Sequence, residues 1–112
     1  IRLIESLDVY HFHNYIQKCF LIMTDSGCIQ EEAPSLGKPV LVLRETTERP
    51  EGVEAGTLKL VGVEKESIYR GVKELLDNRE IYSKMSRASN PYGDGKASKY
   101  IVDALLKATR KI

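Results

Sequence analysis

Two runs of the chain are apolar at almost every position, residues 20–24 (FLIMT) and 39–43 (PVLVL). Runs of that length predict strands buried on both faces, as in a parallel sheet covered by helices. Between them Ile29, Ala33 and Leu36 recur at i, i+4 and i+7, with Gln30, Glu31 and Glu32 on other faces. That spacing predicts an amphipathic helix over 28–36, capped by Asp25 or Ser26. Glu31 and Glu32 suit the positive end of its dipole, and Gly37 with Pro39 ends it. Pro34 conflicts with a long helix, since it removes a backbone bond and crowds the preceding turn. The helix must be short or kinked there. Residues 20–43 thus read as strand, turn, helix, strand: a βαβ unit with tight connections.

The same reading extends outward. Residues 1–4 form an apolar piece that predicts a short strand. Phe12, Tyr15, Ile16 and Cys19 recur at helical spacing and predict a helix over 11–18. Residues 44–56 are polar, with carboxylates, arginines, Pro50 and two glycines, and read as a loop beyond a strand end. Residues 57–61 predict a third strand. Helices follow over 64–76 (Ile68, Val72, Leu75 and Leu76 on one stripe) and over 79–88, where Asn78 is placed as cap and Ile81, Met85 and Ala88 align. NPYGDG at 90–95 is a dense turn. A final helix over 96–111 carries Tyr100, Ile101, Ala104, Leu105 and Ala108 on one side. Together these predict an α/β fold: a Rossmann-like parallel sheet with helices on both faces.

Composition narrows the field little. The 112 residues are 42% hydrophobic and 29% charged, enough for one domain with a modest core. With 17 basic and 16 acidic residues the net charge is +1, so bulk charge favours neither nucleic acid nor a membrane surface. The residues read as carrying no secretory leader and no long apolar run, and none is expected. Cys19 and Cys28 are too few for a disulfide scaffold, and no histidine cluster joins them into a metal site; they read as reduced, partly buried thiols of a cytoplasmic protein. The chain opens on Ile1 and reads as cut from something longer.

Several residues carry candidate chemistry. A helix start exposes free N–H groups, and Gly27 lets a ligand approach without a Cβ in the way. Ser26 and Gly27 are therefore either a phosphate seat or an ordinary cap before a helix. Glu31 and Glu32 are either acceptors for a ribose diol or a solvated helix face. In 44–56, Glu45, Glu48, Arg49, Glu51 and Glu54 crowd together, and Arg49 can hold phosphate or tie the loop to a carboxylate. His11 and His13 are two apart and share no helical face; no base role follows. Gly93 and Gly95 around Asp94 match neither a P-loop nor a dinucleotide fingerprint, and no cofactor is indicated.

The strings LIMTDSGCIQEEAPSLGKPVLVLRETTERPEGVEAGTLKLVG and SRASNPYGDGKAS resemble the non-hydrolysing UDP-N-acetylglucosamine 2-epimerases, and the likeness runs from about residue 2 to 106. It implies part of the second lobe of a glycosyltransferase-B type fold. Residues 1–112 would be a partial C-terminal UDP-binding lobe, with helix 96–111 packing back toward a missing N-terminal lobe. The family interconverts UDP-GlcNAc and UDP-ManNAc by eliminating UDP to a 2-acetamidoglucal and adding it back. Carried over by resemblance, the backbone of Phe12 meets uracil, Ser26 and Gly27 seat the diphosphate, and Glu32 holds the ribose hydroxyls. Arg49 stands near the phosphates as electrostatic support; Glu51 and Glu54 receive no step. The family has Ser-Gly-Gly where this chain has Cys28 third, so Cys28 is expected to turn its side chain away, against the sheet. The implied parent is a cytoplasmic isomerase of polysaccharide biosynthesis, a homodimer acting on a UDP-sugar without metal or cofactor. The chain alone, lacking the main acid–base groups, is expected to be inactive. The alternatives are a non-catalytic nucleotide-sugar module and a glycosyltransferase of the same fold.

Overall fold

The computed structural model describes residues 1–110. Three short strands, β1 (Ile22–Thr24), β2 (Val40–Val42) and β3 (Leu58–Leu60), form a parallel sheet in the order β1-β2-β3. Ile22 lies beside Val40 and Val40 beside Leu58. The α/β class expected from the apolar runs is the class observed, with each strand trimmed to three residues.

Side chains alternate across the sheet, so the run in β2 feeds two cores. Val40 and Val42 join Ala33 and Leu58 on one face, with Ile22, Ile29 and Leu60 around them. Leu41 joins Val61 and Leu75 on the other, with Ile68, Val72, Ile81 and Met85 against it. The first face is covered by α2 (Gly27–Ser35), the second by α4 (Lys65–Asp77) and α5 (Arg79–Arg87). Gly71 permits that second contact: a Cβ there would stand 2.7 Å from Val61 Cγ1.

Helix α1 (Val9–Lys18) starts two residues earlier than its spacing predicts, because Asp8 caps it and accepts from the His11 amide at 2.8 Å. Pro34 lies in the last turn of α2 and is buried, so the helix is short, as the proline requires. The turn after α4 is held by Asn78, whose Oδ1 accepts from the Glu80 and Ile81 amides. Tyr82 fastens α5 to the sheet: its hydroxyl donates to the Phe20 carbonyl at 2.7 Å and its ring stacks on Phe20 at 4.2 Å.

Three expectations are corrected. Residues 1–4 form no strand; no other strand pairs with them, and Leu3 is 99% exposed. An extended segment without a neighbour leaves its backbone groups to water. The segment 44–56 is not wholly loop: α3 (Pro50–Ala55) occupies its second half. Pro50 opens that helix, where its missing N–H costs nothing, and Gly56 closes it at φ 86°. Cys28 is exposed, not folded against the sheet, and Cys19 is half-buried.

The last helix, α6 (Ala97–Arg110), follows a turn in which the Asp94 carboxylate accepts from the Lys96 amide and from the Tyr100 hydroxyl. Those bonds hold the Asp94 carboxyl below its usual range. The expected end at Lys111 lies outside the described residues. No residue of α6 is buried, and its apolar stripe faces solvent, with Leu105 61% exposed. No helix among the described residues is long and apolar enough to cross a membrane.

Candidate functional site

The βαβ unit places the start of α2 just past the end of β1, with the 44–49 loop arriving beside it from β2. Ser26 holds the N-cap position with extended backbone (φ −82°, ψ 131°), yet its side chain makes no cap bond. Asp25 does not cap either. The Ser26 amide donates to Thr24 Oγ1 at 3.0 Å, which fixes the turn from its strand side. Gly27 and Cys28, in the first helical turn, have no acceptor for their amides among the described residues.

Two side chains from the loop lie over Gly27. A Cβ there would stand 2.8 Å from Glu48 Oε1 and 3.5 Å from Arg49 Nη2. Arg49 is oriented by its other nitrogens: Nε donates to Glu31 Oε1 at 2.5 Å and Nη1 to the Glu48 carbonyl at 3.3 Å. This leaves Nη2 toward Gly27. The Glu31 bond, with weaker fields from Glu48 and Cys28, strengthens the hold of Arg49 on its proton. Glu48 is gripped by Arg44 Nη1 at 2.6 Å. Its carboxyl is held below the usual range, first by its own backbone amide and then by Arg44 and Arg49. An anion therefore already stands at the helix start, between two guanidinium groups, and it is the protein's own.

Glu31 and Glu32, indistinguishable by spacing, part company here. Glu31 turns to Arg49, and Glu32 turns to α1, where its Oε2 lies 3.1 Å from His13 Nε2. A groove of about 220 Å³ runs there, lined by His13, Asn14, Gln17, Glu32, Ser35 and Leu36. Phe12 adjoins it on α1, its ring 6.3 Å from that of His13. The Phe12 amide is engaged by the Asp8 carbonyl at 2.9 Å. Ser26, Gly27 and Arg49 thus form one cluster, while Glu32 and Phe12 belong to a second along the same helix. Glu51 is in the first turn of α3 and Glu54 is exposed; neither makes a hydrogen bond to the first cluster.

Five residues with polar contacts here were not expected from the sequence as part of a site: His13, Gln30, Thr47, Glu48 as a partner of Gly27, and Tyr92. Gln30 is wholly buried. Spacing set it off the apolar stripe of Ile29, Ala33 and Leu36, so nothing in the sequence marked it as buried. Tyr92 brings the NPYGDG turn to the base of the arginine loop, with its hydroxyl 3.5 Å from the Arg49 carbonyl, and burial pushes its phenol up. The two recognisable strings of the sequence therefore meet in space. Among the described residues no cluster of histidine, cysteine or carboxylate side chains has a metal-binding arrangement.

Comparison with known proteins places the chain in a family. The family profile described as UDP-N-acetylglucosamine 2-epimerase matches residues 1–106. A UDP-N-acetylglucosamine 2-epimerase of Bacillus subtilis is 65% identical over 106 residues, 95% of this chain and 28% of that protein. Among solved structures, an S. aureus protein in a co-structure with UDP is 59% identical at a TM-score of 0.88, covering 98% of this chain and 30% of that one. The UDP-GlcNAc 2-epimerase of Neisseria meningitidis, solved bound to UDP-GlcNAc, is 56% identical at a TM-score of 0.88, covering 93% and 28%. The chain spans 28% of the length of the curated relative from B. subtilis.

Proposed function

We propose that this chain, which belongs to the UDP-N-acetylglucosamine 2-epimerase family, supplies the UDP-binding part of an enzyme that interconverts UDP-GlcNAc and UDP-ManNAc. The observation that carries the reading is the Arg49 guanidinium turned over Gly27 at the start of α2. Free amides, a glycine without Cβ and an oriented fork of N–H donors are what a diphosphate needs. In this reading Ser26 and Gly27 seat the diphosphate and Arg49 Nη2 binds one of its oxygens. Glu32 takes the ribose hydroxyls after releasing His13, and Phe12 flanks the uracil. The Phe12 amide is already bonded to the Asp8 carbonyl and its own carbonyl lies inside α1, so its ring is what it offers.

When UDP departs from the sugar, negative charge grows on the leaving phosphate, and Arg49 with the α2 amides stabilises it there. Removing the C2 proton requires a base, and in this reading the main acid–base groups belong to the rest of the parent protein. Residues 1–112 act as the C-terminal lobe, and the stripe of α6 around Tyr100, Ile101 and Leu105 packs against the remainder of the parent protein. Family membership supports the wider reading too: a cytoplasmic enzyme of polysaccharide biosynthesis, working as a homodimer.

Titrating the chain with UDP and following UDP-GlcNAc by proton NMR tests this directly. Weak, saturable UDP binding without epimerisation is expected. Failure to bind UDP sinks the seat; turnover at an ordinary enzyme rate sinks the division of labour.

Glu48 yields a second expectation. A diphosphate entering over Gly27 meets a carboxylate already there, and like charges at that distance repel. Glu48→Gln is expected to tighten UDP binding about threefold at low salt, an effect that fades as salt is added. Calorimetry on both proteins checks it; weaker binding would mean that Glu48 holds the arginines in place instead of competing with the ligand.

A further inference from the structure

We infer that Gln30 and Thr47 are positioning residues for Arg49, a role that rests on the reading of Gly27 as the diphosphate seat. Gln30, on α2, is 0% exposed. A buried primary amide must place both its NH2 and its oxygen. Its Nε2 donates to the Ser26 carbonyl at 3.2 Å, and its Oε1 accepts from the Thr47 hydroxyl at 2.6 Å. Thr47 Oγ1 in turn accepts the Arg49 amide at 3.0 Å.

The direction of this relay is forced. Backbone N–H of Arg49 can only donate, so Thr47 must accept there and spend its single proton on Gln30. Gln30 must then turn its oxygen to Thr47 and its NH2 to Ser26. Three hydrogen bonds thereby join the residue before Gly27 to the residue whose guanidinium lies over Gly27. The two halves of the seat come from separate segments, and the Thr47–Gln30 bond joins them across 17 residues of sequence. With the Arg49 backbone fixed and Glu31 holding Nε, little freedom is left to the group that meets the ligand. Gln30 itself is too deeply buried to touch a nucleotide.

Thr47→Val keeps the side-chain shape and removes the hydroxyl, so both Gln30 Oε1 and the Arg49 amide lose their partner. Two readouts follow. Without ligand, the Arg49 Nε–H signal in 15N NMR is expected to shift and its proton to exchange faster in T47V, and Thr47→Ser is expected to restore both. With ligand, UDP affinity is expected to fall about tenfold while uridine, which lacks the diphosphate, binds as before. An Arg49 signal unchanged in folded T47V overturns the inference. So does an equal loss for UDP and uridine, which is the mark of general loosening. If T47V does not fold, Gln30→Met, close in volume, breaks the relay from its other end and is read the same way. If wild-type chain does not bind UDP, the diphosphate reading fails, and the Arg49 signal alone still decides whether the relay holds the arginine.

Discussion

Arg49→Ala is expected to weaken UDP binding about thirtyfold and to leave the fold intact, as measured by calorimetry and by thermal unfolding of both proteins. The size follows from what is lost: a charge-assisted donor aimed at a phosphate oxygen, of the kind that ranks among the stronger hydrogen bonds. The fold survives because the partner left behind, Glu31, is 44% exposed and returns to water. Arg49→Lys is expected to recover little. A lysine has one donor head, whereas Arg49 is held at Nε by Glu31 and presents a different nitrogen, Nη2, toward Gly27. An unchanged UDP constant in the alanine variant would remove Arg49 from the site.

Gly52→Ala is expected to cost about 2–3 kcal/mol of folding stability, read by urea denaturation. Gly52 is buried in α3, and a methyl group there collides with Leu58 Cδ1 and stands 2.6 Å from both Leu58 Cγ and the Tyr92 hydroxyl. Its backbone has little room to retreat. The amide donates to the Arg49 carbonyl at 3.2 Å, and the carbonyl accepts from the Thr57 amide at 2.9 Å and from the Thr57 hydroxyl. Relief must come from Leu58, a core residue of β3, or from Tyr92. Either movement also disturbs the arginine loop, so UDP binding is expected to weaken alongside stability. A stability change under 0.5 kcal/mol would show that α3 sits looser on β3 than these distances state.

How far the sequence was readable differs between elements for physical reasons. The strand at 40–42 was plain because both its faces are covered, which leaves a long apolar run; that at 22–24 reads alike although Met23 is 50% exposed. Helix α3 was not, since its six residues are mostly polar or small and its stability comes from Gly52 against Leu58. Its Pro50 and Gly56 were terminal signals all the same. The apolar residues at 1–4 misled in the opposite direction: hydrophobicity marks a strand only where an edge is available to pair with it. Of the candidate site, the turn at Ser26 and Gly27 followed from local pattern, but spacing left its use open. The resemblance named Arg49 as its companion, and only coordinates bring the two together. Gln30 and Thr47 stayed hidden because a polar side chain is read as solvated until its partner, distant along the chain, is known.

The sheet's register has a kinetic consequence. Ile22, Val40 and Leu58 lie side by side at equal steps of eighteen residues. Each strand pairing therefore closes a loop of the same modest span, and closure entropy rises only with the logarithm of that span. A parallel sheet is ordinarily a slow thing to assemble, because its contacts are far apart in the chain. This one pairs its strands at short sequence separation, with β2 as the common template, so the two flanking strands can dock in either order at similar rates.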